Sequence, residues 1–552
     1  MRVRWVLGIG VTLAAACSHA ARGEGPLAPI AAKTAGVESR LKALEDVNKR
    51  MADRYEELLR RAEADRKRSD ERYVDLQHRY DELRQKVETG EIEEVGPTLP
   101  EPETGRPLPR PGPASKRWNR PSFGGSTAAG ERARGAGDGG DEAASPMFPH
   151  FDDGVVFSTE DDEFSLRLHV LDQTDLKLFT PNNMSPTHSG LYIPRVRLYF
   201  EGRMGKPFEY EVSLQRSIEG VWDLLDGNLN FRPTDALQVR FGRMLVPYSY
   251  DWYDHLEQYF ITPERGLYPL NFGLSRSAGF MVHGRVAGER VQYAAGIFDG
   301  RLAGLADNNT VRDAVGYLNV RPFLGSERFT ALHELNIGGS IFSGIQSEPQ
   351  DPLPLRTSLQ SSENDEGARA ASATFLTFNE GVTPLGARSA GALHFAYYFK
   401  QLSVEAEFQR GSTDYYKLGR PGLTSVPSSG SHVTAGYFLT GETVKRREGV
   451  VPLRPFYAGG RRFGPGAIEL FGRYSTLRLG QSIFDAGLSD PTESTRALSM
   501  VDLGFNWYPN RFVKFYVDYQ LPFYDTPVLV NPGREIYSTS APLFWVRCQI
   551  YF

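Results

Sequence analysis

The sequence predicts an all-β protein, a sixteen-stranded antiparallel transmembrane β-barrel preceded by a signal peptide, an α-helical coiled coil and a disordered linker. From about residue 155 to the end, apolar and polar residues alternate with a period of two. Short and long links alternate between these stretches, as they do in barrels that cross a bilayer. The final stretch, 544–552, is apolar at every even position down to Phe552. A closed barrel pairs such a strand with its first strand, whereas an exposed apolar edge promotes aggregation.

The amino terminus has the pattern of a secretory signal peptide over residues 1–20. Arg2 and Arg4 precede an apolar run over 5–16, and Ser18-His19-Ala20 is a small-x-small cleavage site. An alternative is lipidation of Cys17, although Ala14 stands where such sites usually carry Leu. Cleavage after Ala20 leaves Cys548 as the single cysteine, so no intrachain disulfide can form.

Residues 30–90 are predicted to form a coiled coil. Leu, Met, Tyr and Ala recur at spacings of three and four from 37 to 87, with a shift of the seam near Ser69. Asn48 lies on the seam, where it can set register or strand number. A single charged helix is the alternative. Residues 91–150 are rich in Pro, Gly, Ala and Arg, which predicts a disordered linker between the coiled coil and the barrel domain, 155–552.

The barrel strands are predicted from the alternation in each stretch, and their even number returns the chain to the side on which it started. Their ranges are 163–178, 191–204, 207–217, 221–233, 235–246, 276–287, 290–299, 312–322, 331–345, 388–400, 402–411, 431–442, 465–478, 497–508, 511–522 and 542–552.

The links indicate which end of the barrel is which. Tight turns are predicted at 205–207, 233–235, 288–289 and 509–510, and long loops at 247–275, 346–387 and 523–541. The link 443–464 breaks the pattern because it is long on the side of the tight turns. A soluble sandwich would also alternate, but aromatic residues at the strand ends and a charged second face favour the barrel.

Sixteen strands leave an aqueous lumen. Parity assigns to it the cations Arg167, Arg195, Arg197, Arg203, Arg240, Arg285, Arg321, Lys400, Arg473, Lys514 and Arg547. Nearly as many acids face them, namely Glu201, Glu209, Glu211, Glu334, Glu405, Glu407, Glu469, Asp502 and Asp518. Any path for anions is therefore local. Each cation could instead form an ion pair with a neighbouring strand.

Composition excludes some classes of function. The formal net charge of −5 gives no basic surplus for nucleic acid. We find no nucleophile motif and no metal-ligand spacing, so neither an enzyme nor a cofactor is expected. A barrel hydrolase is the alternative within the enzymes, and it would be detected by ester hydrolysis.

Five ordered motifs resemble one known family. They are Ile193-Pro194-Arg195-Val196-Arg197-Leu198-Tyr199-Phe200-Glu201-Gly202 and the stretches 241–247, 435–442, 466–475 and 504–510. The sequence is similar there to the phosphate-selective porins O and P of Gram-negative outer membranes. The resemblance implies a homotrimer of sixteen-stranded barrels in outer-membrane lipid, an inward-folded loop, and Arg and Lys residues that guide inorganic anions. The predicted coiled coil, at about 1.5 Å per helical residue, is about 75 Å long and is expected to extend into the periplasm. Phe552 resembles the terminal signal read by the barrel-assembly machinery.

Arg195 and Arg197 match the basic cluster of the family's second strand, whereas Leu245 stands where the family often has Lys. An inward loop at 247–275 would narrow the lumen with its aromatic residues. The candidate anion-binding residues are Arg195, Arg197, Arg203, Arg240, Lys400, Arg473, Tyr248 and Tyr250. The resemblance implies a passive channel favouring anions such as phosphate or polyphosphate. The alternatives are a channel without selectivity or for other solutes, and a structural tether acting through the coiled coil.

Overall fold

The computed structural model describes residues 148–151, 154–161, 163–218, 222–300, 309–359, 366–457 and 464–552. The predicted signal peptide (1–20), the coiled coil (30–90) and all but the end of the linker (91–150) lie outside the described residues.

Sixteen antiparallel strands form a closed barrel, which confirms the predicted fold class. The sixteen are β3 (Phe164–Phe179), β4 (Gly190–Met204), β5 (Phe208–Ser217), β6 (Trp222–Phe231), β7 (Gln238–Leu245), β8 (Arg276–Val286), β9 (Val291–Phe298), β10 (Asp313–Val320), β11 (Glu334–Gln346), β14 (Val382–Phe399), β15 (Leu402–Lys417), β16 (Thr424–Phe438), β17 (Ala467–Leu479), β18 (Ala497–Tyr508), β19 (Val513–Tyr524) and β22 (Leu543–Tyr551). The last strand closes on the first, from the pair Leu543 and Phe179 to the pair Tyr551 and Leu171.

An additional hairpin extends the wall where the last strand ends. It consists of β1 (Phe148–Phe151) and β2 (Val155–Ser158), and β2 pairs with residues 165–168 of β3. Phe552 exchanges two backbone hydrogen bonds with Val170 beside it. The predicted linker therefore ends too late, because residues 148–150 already belong to a paired strand.

Alternation places one face of each strand in the lumen and the other on the outside. On β22, Trp545 and Arg547 are fully buried, whereas Phe544 is 38% exposed. On β4 the parity changes at Pro194, since Ile193 is exposed but Arg195 and Arg197 are buried inside. Pro194 has no N–H to give to the ladder, which explains why the irregularity in pairing lies there.

Two strands begin earlier than the sequence predicts. β14 begins at Val382 rather than 388, and β16 begins at Thr424 rather than 431. The pairing of β14 is irregular between Pro384 and Arg388, and Gly386 has a φ of +105° there, so the bulge hides the alternation. The first seven residues of β16, 424–430, are mostly small or polar. They therefore show no alternation of apolar and polar residues.

The two ends of the barrel differ. We call the end with the tight turns the turn end. The first strand, β3, begins there and the last strand, β22, ends there, and the links 321–333 and 439–466 lie there too. The opposite loop end carries the short elements β12 (Leu355–Arg356), β13 (Thr374–Leu376), β20 (Val528–Asn531) and β21 (Ile536–Ser538), with α3 (Glu366–Ala371) and α4 (Ser482–Asp485). Outer-membrane barrels direct such turns to the periplasm.

The link between β7 and β8 contains α1 (Tyr250–Tyr253), a 3₁₀ turn (Glu257–Tyr259) and α2 (Leu267–Phe272). Two further 3₁₀ segments are Glu327–Leu332 and Pro532–Arg534. Among the residues that the structure describes, no helix has the length and apolar character needed to cross a membrane.

Candidate functional site

Residues 246–275, here called the inward loop, lie inside the lumen, where the sequence predicts such a loop. The loop enters and leaves through two serines with left-handed backbone, Ser249 (φ 69°) and Ser275 (φ 55°). Such a conformation is uncommon for a residue other than glycine. The N–H of Ser249 donates to Ser340 Oγ on β11 at 2.9 Å, which fixes the entry of the loop.

One side of the inward loop is held by strands near the carboxyl terminus through its backbone carbonyls. The carbonyl of Ile261 accepts a hydrogen bond from Asn506 Nδ2 at 2.8 Å, and that of Gln258 accepts one from Gln549 Nε2 at 2.9 Å. Lys514 Nζ donates to the carbonyl of Phe260. Buried carbonyls need such partners, so these polar wall residues determine where the loop lies.

The other side of the loop is held by β14 and β15. The carboxylate of Glu407 accepts hydrogen bonds from Ser249 Oγ at 2.8 Å and from the N–H of Tyr250 at 2.9 Å. The ring of Tyr250 stacks on His394 with 4.5 Å between centroids, and its hydroxyl lies 3.2 Å from that of Tyr398. The inward loop therefore crosses the lumen from wall to wall.

His255 lies between two carboxylates at this side. Its Nδ1 is 3.6 Å from Glu405 Oε2 and 3.8 Å from Asp251 Oδ1, and its Nε2 is 3.4 Å from the Tyr398 hydroxyl. Burial alone would lower the pKa of His255, but the two carboxylates outweigh it and raise the pKa above the ordinary 6.5. When protonated, the imidazole forms an ion pair with Glu405 and so ties the loop to β15.

Three arginines converge on Glu257 in the middle of the loop. Its carboxylate lies 2.8 Å from Arg197, 3.1 Å from Arg276 and 3.4 Å from Arg265. Burial would raise the pKa of Glu257, yet the arginines hold it well below its ordinary value. The cluster joins the loop to β4 and β8. Two of its arginines also reach a second carboxylate, since Arg276 lies 3.5 Å from Asp226 and Arg265 lies 3.9 Å from Asp251.

Arg265 is stacked between two aromatic rings of the same loop. Its guanidinium carbon is 3.7 Å from the centroid of Trp252 and 4.5 Å from that of Phe260. The indole Nε1 of Trp252 donates to the carbonyl of Pro269 at 2.7 Å, which fixes the ring. A guanidinium suits such stacking because it is planar and weakly hydrated.

Glu264 forms a second group of ion pairs next to the first. Arg195 Nη2 is 2.6 Å and Arg547 Nη2 is 3.2 Å from Glu264 Oε1, and Arg547 also binds Asp175 through both ends of its fork. The predicted residues Arg195 and Arg197 do face the lumen, but each is buried and paired with a glutamate of the loop. The alternation along a strand predicts which side chains face the lumen, but it does not predict which loop residues they contact.

Arg473 is likewise inside the lumen and paired. Its Nε is 2.9 Å from Asp502 on the next strand, and its Nη1 donates to Thr262 Oγ1 at 2.7 Å. For Arg473 the predicted alternative, an ion pair along the wall, is what the structure shows. Its second role is to hold the inward loop.

The remaining predicted residues lie away from this cluster. Arg203 is near the turn end, with its Nη2 3.8 Å from Glu209, and Arg240 is half-buried on β7. Tyr248 is fully buried against Phe342. The prediction that Lys400 faces the lumen is wrong, because Lys400 is an exposed turn residue with a φ of 54° beyond the end of β14.

Two of the cavities in the described part of the chain lie on opposite sides of the inward loop. The loop-end cavity has a volume of about 260 Å³ and the turn-end cavity one of about 110 Å³. Of the described residues that line them, Glu257 and Arg276 are shared by both, so this pair marks the boundary. Arg276 was not among the lumen cations that the alternation of strand residues predicted. It pairs in register with Leu245, the position at which the family often has Lys, and so supplies a cation from the adjacent strand.

The two cavities differ in charge. Arg195, Arg243, Arg265, Arg276 and Arg388 line the loop-end cavity, against Glu257, Glu264 and Asp351. In the turn-end cavity the charges are nearly balanced. The positive surplus thus begins at the boundary and extends toward the loop end.

The long link at the turn end also sends a segment inward, residues 442–450, here called the turn-end segment. Arg447 Nη1 lies 2.8 Å from Glu469 and its Nε 3.3 Å from Glu405, with all three side chains buried. The N–H of Val444 donates to the carbonyl of Lys400 at 2.7 Å. This explains the length of the link, which must reach into the lumen rather than simply connect two strands.

Within the described ranges, no group of three or more His, Cys, Asp or Glu side chains is placed to hold a metal ion.

A closed barrel whose polar, charged lumen is crossed by an inward loop defines an outer-membrane porin, that is, a channel through that membrane. Residues 165–525 match the family described as phosphate-selective porin O and P, and the chain belongs to this family. No curated protein gave a significant sequence match.

Among solved structures, the chain is similar to the anion-selective porin from Comamonas acidovorans, with 13% identity and a TM-score of 0.41, covering 71% of this chain and 100% of that one. It is also similar to the loop L8 deletion mutant of OmpT from Vibrio cholerae, with 10% identity and a TM-score of 0.42, covering 71% and 100%. A third is the channel DcaP of Acinetobacter baumannii, with 10% identity and a TM-score of 0.41, covering 72% and 99%.

Proposed function

We propose that this porin is a passive channel that favours anions, phosphate and polyphosphate among them, over cations. The observation that carries the proposal is the boundary between the two cavities. There Arg276 and Glu257 face both sides, and two further arginines, Arg197 and Arg265, surround the same carboxylate.

The geometry offers donors to a passing anion. Arg276 Nε is buried, has no hydrogen-bond acceptor among the described residues and lies 3.5 Å from Asp226 Oδ2. Guanidinium groups bind carboxylate and phosphate oxygens through forked donors. An anion at the boundary can therefore exchange one donor for the next without occupying a deep binding site, which is what conduction requires.

Assembly belongs to the same proposal. We infer a homotrimer from the family resemblance, with the predicted coiled coil on the periplasmic side and Phe552 presented to the assembly machinery during insertion. A peptide of residues 30–95 should sediment as an oligomer. A monomeric peptide would remove the coiled coil as an assembly element, and a monomeric barrel in mild detergent would contradict the trimer.

The reversal potential of purified protein in a planar bilayer under a salt gradient tests the selectivity. We expect a potential of the sign that anions produce, and inorganic phosphate should reduce the chloride current. Arg276→Gln should shift the potential toward the cation side, and the double variant Arg195→Ala/Arg197→Ala should shift it as well. Arg328→Gln, which removes an exposed arginine at the turn end, should leave the potential unchanged. Cation preference of the wild type would refute the proposal.

A further inference from the structure

The loop-end cavity combines two kinds of surface. Its arginines lie beside a set of aromatic side chains that line the same space, namely Trp252, Tyr268, Phe272, Phe342, Phe378 and Tyr415. A site for inorganic phosphate alone would need donors on all sides. Cavities that bind organic molecules are instead mostly apolar, with a few placed polar groups.

The aromatic part of the cavity is built around a stacked pair. The rings of Phe378 and Tyr415 have centroids 5.3 Å apart and are inclined by 25°. Phe378 is half-buried, so part of its ring remains open. Such rings favour offset or edge contact with a further ring.

The charged part of the same cavity contains a buried guanidinium nitrogen that has no hydrogen-bond acceptor among the described residues. Arg388 is only 8% exposed, and its Nε has no hydrogen-bond partner among the described residues, although its Nη2 lies 2.9 Å from Asp313 Oδ2. Arg276 Nε, which likewise has no hydrogen-bond acceptor among the described residues but lies 3.5 Å from Asp226 Oδ2, lines the same cavity. Buried donors without acceptors are costly, so a ligand that supplies an acceptor stabilises the site.

The pairing of strands places Arg388 and Tyr415 close together along the wall. Arg388 is opposite Thr413 of β15, and Tyr415 is two residues further along the same strand. Two residues of a strand span about 7 Å. Thr413 lines the cavity as well, so this face of β15 is directed into it.

We propose that the loop-end cavity binds organic anions in which a carboxylate or phosphate head is attached to an aromatic ring. The head is held by Arg388 and the ring by Phe378 and Tyr415. The inference rests on the proposed anion preference and adds to it the class of solute that this porin selects before the narrow zone.

Matched pairs of blockers test the inference on the full-length porin. Benzoate is compared with acetate, and phenyl phosphate with inorganic phosphate, as inhibitors of chloride current from each side of the bilayer. We expect each aromatic member to block at a concentration at least tenfold lower than its ring-free partner, and more strongly from the loop end. Equal potency within both pairs would overturn the proposal.

Variants test the contribution of the aromatic rings separately from that of the arginine. Phe378→Ala should abolish the advantage of the aromatic blockers, and Phe378→Leu, which retains apolar bulk, should reduce it severalfold without changing the reversal potential. Phe329→Ala, which removes an exposed aromatic ring at the turn end, is the matched control. Arg388→Gln should weaken both members of each pair. If Phe378→Leu and Phe378→Ala leave the advantage intact, the site is refuted while anion preference stands. If the wild type prefers cations, the proposed function itself fails.

Discussion

Replacing Glu257 by Gln is the sharpest test of how charge is arranged in the lumen. The change keeps the shape of the side chain and removes the carboxylate that lies within 3.4 Å of three arginines. The inward loop keeps its other attachments through Glu264 and its backbone carbonyls. The net charge at the boundary between the two cavities therefore increases by one unit.

The size of the effect follows from Coulomb's law. For an anion passing about 5 Å from the lost carboxylate, the gain is about 0.8 kcal/mol in bulk water and about 3 kcal/mol at an effective dielectric constant of 20. Because 1.4 kcal/mol corresponds to a factor of ten, the lower value alone favours an anion at this position about fourfold and disfavours a cation by the same factor. In this wet lumen we therefore expect the ratio of anion to cation permeability to increase by roughly 16-fold.

The assay is the reversal potential of Glu257→Gln and wild type in the same tenfold chloride gradient, at low and at high ionic strength. Glu327→Gln is the matched control, since Glu327 is an exposed carboxylate in the link 321–333 at the turn end. The shift should decrease at high salt because screening shortens the range of charge. A potential that is unchanged, or that moves toward the cation side, would refute the placement of the selectivity at this boundary.

Three further outcomes are expected. Because the pKa of His255 is raised in the folded protein, its ion pairs stabilise the inward loop at acidic pH and are lost as pH rises through that pKa. Current noise should therefore increase as the pH is raised above about 6.5 in the wild type, but not in His255→Asn. Arg447→Met leaves Glu405 buried without this partner and should destabilise the barrel by about 3–5 kcal/mol, measured as a lower midpoint of chemical unfolding. Gly430→Ala should displace α2 at a cost of about 1–3 kcal/mol, since an added Cβ would lie 2.7 Å from that of Tyr268, and single-channel conductance should change.

Each of these outcomes has a control or a contradicting result. Identical pH profiles for wild type and His255→Asn would show that another group controls the loop. Arg446→Met, which alters a more exposed arginine of the same segment, should cost less than 1 kcal/mol, the range of surface pairs. Unchanged conductance of Gly430→Ala would mean that α2 does not contribute to the narrowing.

The wall of the barrel could be predicted from sequence because each strand has one face toward lipid and one toward water. Apolar and polar residues therefore alternate along the strand with a period of two. The sequence prediction made two strands, β14 and β16, too short at their beginnings. The first part of β14 contains the bulge at Gly386, and the first residues of β16 are small and polar, so neither stretch alternates in hydropathy. Parity also placed Arg195 and Arg197 correctly inside the lumen.

The charge balance at the narrow zone could not be predicted in the same way. Strand parity cannot assign the side chains of a loop, so Glu257, Glu264 and Arg265 were absent from the predicted set. Arg276 is at an even position of β8, whereas Phe280 and Val286 at even positions face outward. It enters the lumen because it is the first residue of its strand and follows the left-handed Ser275. The acidic and aromatic content of 247–275 was a signal in the sequence that could have predicted contacts between this loop and the arginines on the wall.

The attachment of the inward loop also fixes an order of events during assembly. The donors to its carbonyls, Asn506, Lys514 and Gln549, belong to the last three strands of the barrel, β18, β19 and β22. The loop itself lies between the fifth and sixth of the sixteen strands. It therefore cannot take up its final position until the chain is nearly complete. A barrel arrested before these strands are inserted would hold its loop on one side only, and its lumen would be wide and leaky.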